Sequence, residues 1–131
     1  MWNLLANECP DADFFVLLGD DVTLLDQGWK SRIEERFASV AKAAAMPFGD
    51  ACVAFVDVTA PPGYATFPVV HRRHFERFGH NIVPEQFQNQ GGDPFVFELY
   101  RNFGASAFEE GSRLRNGVGG FEAPRYERQA V

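Results

Sequence analysis

Five apolar residues in succession, Phe14-Phe15-Val16-Leu17-Leu18, stop abruptly at Gly19-Asp20-Asp21. A run without polar alternation predicts a strand buried on both faces, with the two acids at its C-terminal end. The period then changes. Trp29, Ile33, Phe37, Val40 and Ala44 recur at helical spacing, with Lys30, Arg32, Glu34 and Glu35 largely off that stripe. This predicts an amphipathic helix with Asp26 as its N-cap and Met46-Pro47 as its end. Cys52-Val53-Ala54-Phe55-Val56 reads as a second buried strand and Thr66-Phe67-Pro68-Val69-Val70 as a third, which Pro68 confines to an edge or a bulge. Between them, Thr59-Ala60-Pro61-Pro62-Gly63 is a loop. A short helix runs from about His71 to Phe78 and ends at Gly79. A longer one opens at Asp93-Pro94, with Val96, Leu99, Tyr100 and Phe103 on one face before Gly104. Two short strands close the pattern, around Ala105 to Phe108 and Ser112 to Arg115, and a glycine- and charge-rich tail from Gly117 to Val131 is expected to be mobile. Strands alternating with helices predict an α/β fold.

At 131 residues the chain is sized for one domain spanning residues 1–131. A net charge of -6 gives no basic face for a phosphate backbone, so nucleic acid is not an expected partner. Ten of the twelve basic residues are arginine, the type that contacts phosphate or carboxylate bidentately, which keeps small anionic ligands in view. Cys9 and Cys52 alone make no disulfide framework or zinc pattern. No stretch of eighteen apolar residues predicts a membrane segment, and Met1 to Cys9 lacks the basic start and apolar run of an export signal, which favours the cytoplasm.

Adjacent carboxylates closing a buried strand are costly unless a cation compensates them, and a divalent ion with oxygen ligands is the common solution. Asp20 and Asp21 are therefore candidate metal ligands, against the plainer reading of a polar turn. Open α/β sheets bind ligands at the C-terminal ends of their strands, which supports the functional reading. Asp93, before Pro94, suits an N-cap. The preceding Asn89-Gln90-Gly91-Gly92 also lets a backbone approach a ligand closely, so the same carboxylate is a candidate general base. His71, Arg72, Arg73 and His74 either reach a diphosphate or form the solvated first turn of a helix, and the solvated turn is favoured. Arg113 and Arg115 alternate along a short strand and share a face, where they bind phosphate or pair with Glu109 and Glu110.

In their order and spacing, Asp13 to Val22, then a helix, then Phe67-Pro68-Val69-Val70-His71-Arg72-Arg73-His74-Phe75, then Asn89-Gln90-Gly91-Gly92-Asp93-Pro94-Phe95, resemble the C-terminal two-thirds of a GT-A glycosyltransferase. The likeness is to the family-2-like enzymes and to the glycosyltransferase domain found in chlorella viruses and algae. It covers Trp2 to about Gly120, with Trp2-Asn3 similar to the end of the helix before the metal strand. It implies a GT-A-like sheet flanked by helices, in which a DxD-type motif holds Mn²⁺ or Mg²⁺ against a nucleotide-sugar donor. Asp21 matches the terminal metal-ligand acid and Asp20 the middle one, while Gly19 stands at the first position. Asp93 matches the base that deprotonates a glycan or other hydroxyl acceptor in inverting members, and Gly91, Gly92, His71, Arg113 and Arg115 would contact substrate. The resemblance also implies that a nucleoside-binding portion belongs before residue 1.

Two other classes compete. Gly-Asp-Asp between apolar runs also resembles the metal hairpin of RNA-dependent RNA polymerases; a helix directly after Leu25, instead of a tight return strand, argues against it. A catalytically silent GT-A remnant acting as a binding module is the other.

Overall fold

The computed structural model describes residues 2–19, 21–84 and 92–117. Its elements are α1 (Trp2–Asn7), β1 (Phe14–Val16), β2 (Val22–Leu24), α2 (Trp29–Ala44), β3 (Cys52–Asp57), β4 (Pro68–His71), α3 (Arg72–Arg77), α4 (Gly92–Arg101) and β5 (Ser106–Asn116). The five strands form one mixed sheet in the order β1-β4-β3-β5-β2. β3 and β5 are parallel; β4 runs antiparallel to β1 and β3, and β2 antiparallel to β5. β1, β3 and β5 therefore point one way. The mixed α/β class expected from the pattern is what the chain adopts.

Alternation across the sheet sorts the helices onto its two faces. Phe14 packs edge-on against Phe37 of α2 and its neighbour Phe15 against Phe75 of α3, so α2 and α3 cover opposite faces. His74 of α3 contacts Tyr100 of α4, which places those two helices together. β3 is the centre: Cys52 to Phe55 are all 0% exposed. In α2 the buried residues are Ile33, Phe37, Val40 and Ala41; the first three belong to the stripe that its spacing predicts, whose ends, Trp29 and Ala44, are half-buried against the core. Ile33→Ala should cost about 2–5 kcal/mol. A denaturant titration checks it, and a loss below about 0.5 kcal/mol would mean that the stripe does not anchor the sheet.

Five expectations are corrected. β1 is not buried on both faces; it is an edge strand with only Phe15 of its three residues buried. β4, expected at an edge, lies between β1 and β3, and tolerates Pro68 because that residue opens the strand and needs no ladder N–H. The N-cap of α2 is Gly28 at φ 76, not Asp26. Asp26 instead accepts hydrogen bonds from the backbone and guanidinium of Arg113. The two short C-terminal strands are one strand, β5. Its pairing with β3 jumps from Phe55↔Glu109 to Val56↔Arg113, so the polar Glu110-Gly111-Ser112 stretch is a bulge, not a break. Phe103, expected on the buried face of α4, lies beyond that helix and is 65% exposed. Residues 118–131, expected to be mobile, lie outside the described set.

Candidate functional site

β1 and β2 are consecutive in sequence but occupy opposite edges of the sheet. Leu17 still donates to Pro68 of β4, and Val22 already pairs with Asn116 of β5. Five steps of extended chain reach about 17 Å, whereas four strand spacings in a flat sheet span about 19 Å. The sheet must therefore curl, and the chain leaves one edge at Leu17 and joins the other at Asp21. Gly19 passes the ring of Phe67, since a Cβ there would lie 4.0 Å from Cε1. Asp21 is held where β5 stops, its carbonyl accepting from the N–H of Gly117 at 3.0 Å. This crossing starts level with the second residues of β3 and β5, since Val16 aligns through Val69 with Val53 and Ala107, and it arrives at the C-terminal end of β5, the kind of place where open sheets bind ligands.

The backbone of α4 reaches the same end. The helix finishes in a turn that feeds β5 at its start, where Cys52 N–H donates to the carbonyl of Ala105. α4 thus runs back along β5, and its first turn, Gly92 and Asp93, stands toward the end that carries Asp21, about 15 Å from its last turn. The side chain of Asp93 lies outside the described set, as do Asp20 and Gly91.

Arg113 and Arg115 do share an exposed face of β5, as alternation predicts, and Arg115 pairs with Thr23, two residues from Asp21. Arg113 is engaged by Asp26, with guanidinium contacts of 3.0 and 2.9 Å. These hydrogen bonds hold the Asp26 carboxyl down at about 2. Glu109, the partner expected for these arginines, pairs with Arg36 instead.

His71 is not brought to this end. It closes β4 opposite Phe14, at the N-terminal end of β1. Its Nδ1 caps α3 by accepting from Arg73 N–H at 3.1 Å, and its ring packs against Phe14 and Phe48. Burial is the main influence holding that ring below the usual histidine value. The rest of the cluster is the first turn of α3, as expected, with Arg72 and Arg73 still 37% and 44% exposed at their side chains but His74 buried. Asp50, 2% exposed, receives Arg73 at 3.1 and 3.3 Å and Arg77 at 3.0 Å. Desolvation pushes the Asp50 carboxyl up, but the two guanidinium groups together outweigh it and leave it low. His74 is buried between the Tyr100 hydroxyl at 2.6 Å and the Ile82 carbonyl at 2.8 Å. A carbonyl only accepts, so Nε2 carries the proton and Nδ1 receives the hydroxyl; burial lowers this histidine and keeps it neutral. The sequence carried no signal for Asp50, an acid in a loop that α3 comes to meet.

Trp2-Asn3, expected at the end of a helix, begin α1, and Asn3 has a role that the sequence did not signal. Its Oδ1 accepts from Ile82 and Val83 N–H, and its Nδ2 donates to the Val83 carbonyl, so α1 is stitched to the segment after α3.

No helix among the described residues is long and apolar enough to cross a membrane. The chain matches no protein-family model, no curated protein and no solved structure.

Proposed function

We propose that the chain is a GT-A-like, metal-dependent glycosyltransferase domain, moving a sugar from a nucleotide-diphosphate donor to a glycan or other hydroxyl acceptor. What supports this reading is that Asp21 stands beside the C-terminal end of β5, while α4 runs so that its first turn, Gly92 and Asp93, lies on that side of its last turn. The polymerase alternative loses ground on the same topology. A strand, β2, does follow Asp21, but it pairs with β5 and not with β1, so Gly-Asp-Asp is not the tip of a hairpin.

Mn²⁺ or Mg²⁺ suits the donor chemistry here, because carboxylate oxygens are hard ligands. Gly19 keeps the neighbourhood open, since a Cβ there would lie 3.3 Å from Asp21 Oδ1. The described residues gather no three His, Cys, Asp or Glu side chains for a metal ion, so Asp21 would share the ion with Asp20 and the donor's phosphate oxygens. When bound, the ion offsets charge developing on the leaving diphosphate. In an inverting transfer Asp93 takes the acceptor hydroxyl proton, the acceptor oxygen bonds to the anomeric carbon, and the nucleoside diphosphate leaves with the electron pair of the broken bond.

Calorimetric titration with Mn²⁺, together with donor hydrolysis, tests the assignment. Asp21→Asn should weaken Mn²⁺ binding by about tenfold or more, and by more than Asp20→Asn does. Equal effects would reject the ligand order. Metal binding without any donor turnover would favour the silent binding module.

A further inference from the structure

The sequence of β1 and its position disagree. Phe14 to Leu18 is an uninterrupted apolar run of the kind found in strands flanked on both sides, yet β1 forms a sheet edge and pairs with β4 alone. Arg72 N–H donates to Asp13 and Leu17 N–H to Pro68, so the odd-numbered residues 13, 15 and 17 turn their backbone groups toward β4. The N–H and C=O of Phe14 and Val16 therefore point outward from the sheet, where no strand among the described residues meets them. Natural edges are guarded by lysine, proline or a bulge, and β1 has none within it. Alongside lies a groove of about 280 Å³ between β1 and α2, walled by Phe14, Val16, Ile33 and Val69, with Lys30 and Glu34 among its lining residues.

We propose that this edge is a self-association surface, and that a second copy of the chain adds its own β1 antiparallel to the first about a two-fold axis through Phe15. The register follows from which groups face outward: Phe14 of each copy lies opposite Val16 of the other, and the two pairs exchange four backbone hydrogen bonds. Large then meets small on the α2 face. Charge selects a second copy over an arbitrary strand, because Lys30 and Glu34 are one helical turn apart on the same flank of α2. A two-fold axis reverses that flank, setting each lysine toward the other copy's glutamate, so the surface complements itself. The inference is independent of glycosyl transfer.

Analytical ultracentrifugation of the intact chain over a range of concentrations tests it. The expected result is a reversible monomer–dimer equilibrium. Val16→Pro removes one outward N–H per copy and leaves the bonds of Phe15 and Leu17 to β4 in place, so it should weaken the dimer roughly thirtyfold. In case proline also disturbs β1, a charge exchange provides a second reading. Lys30→Glu and Glu34→Lys should each weaken self-association, and an equimolar mixture of the two variants should restore a dimer. A monomer at every concentration, a dimer unaffected by all three substitutions, assembly continuing past two copies, or failure of the mixture to associate would each overturn the proposal.

Discussion

Gly49→Ala should destabilise the protein by about 3–5 kcal/mol, a large effect for a single methyl group, because Gly49 is buried in the loop before β3. Gly49 sits at φ 99, a backbone conformation that costs a residue with a side chain about 1–3 kcal/mol. The new Cβ would also stand 2.5 Å from His71 Nδ1, 2.9 Å from its Cγ and 3.0 Å from Arg73 Cδ. His71 cannot simply swing aside, because that nitrogen caps α3 and its ring is wedged against Phe14 and Phe48. Losing the cap costs about 1 kcal/mol. Moving Arg73 withdraws one of the two guanidinium groups that satisfy buried Asp50. Urea denaturation measures the total, and a double variant divides it. In the background of His71→Ala the collision with the ring disappears while the backbone strain stays, so Gly49→Ala should cost less there. If it costs under about 1 kcal/mol in the wild-type background, the loop before β3 adapts and does not lock α3 in place.

The periodic elements were legible because they answer to the burial of one face. The α2 stripe reads directly from Trp29 to Ala44, and β3 reads from four small and aromatic residues that are all inaccessible. Position within the sheet was not legible. The apolar run at β1 describes a strand that wants neighbours on both sides, and only the observed pairing reveals that β4 supplies one alone. Pro68 misled for a related reason: proline excludes a strand interior, but a strand's first residue in the middle of a sheet is still permitted. Polar residues were the least readable. Asp26 has the composition of a cap and serves as an anchor for Arg113, while Asp50 has no pattern at all and gathers two arginines. Both roles depend on partners 87 and 23 residues away, which local spacing does not encode. At the candidate site the sequence named Asp21 and Arg115, which the fold brings to one end, and also His71, which the direction of β4 carries to the other.

Asp93→Asn should lower sugar transfer by roughly a hundredfold or more while changing stability by less than about 1 kcal/mol. α4 begins at Gly92, so Asp93 is its second residue and not the N-cap that Asp93-Pro94 predicts. A first-turn residue needs at most an oxygen near the unpaired backbone N–H groups, and asparagine supplies one nearly as well as aspartate. A base must take a proton from the acceptor hydroxyl, which an amide does not do at neutral pH. Position makes the comparison sharp: Asp93 belongs to the first turn of α4, so loss of transfer without loss of folding would isolate its chemistry from its place in the helix. Transfer is followed with Mn²⁺ and a nucleotide-sugar donor, and folding by urea titration of the same preparation. Binding of Mn²⁺ should survive the substitution, because Asp21 is untouched. Transfer at near wild-type rates would leave Asp93 a first-turn residue without a chemical role and require either a retaining mechanism or another base, whereas a matched fall in stability and transfer would assign the whole effect to the start of α4.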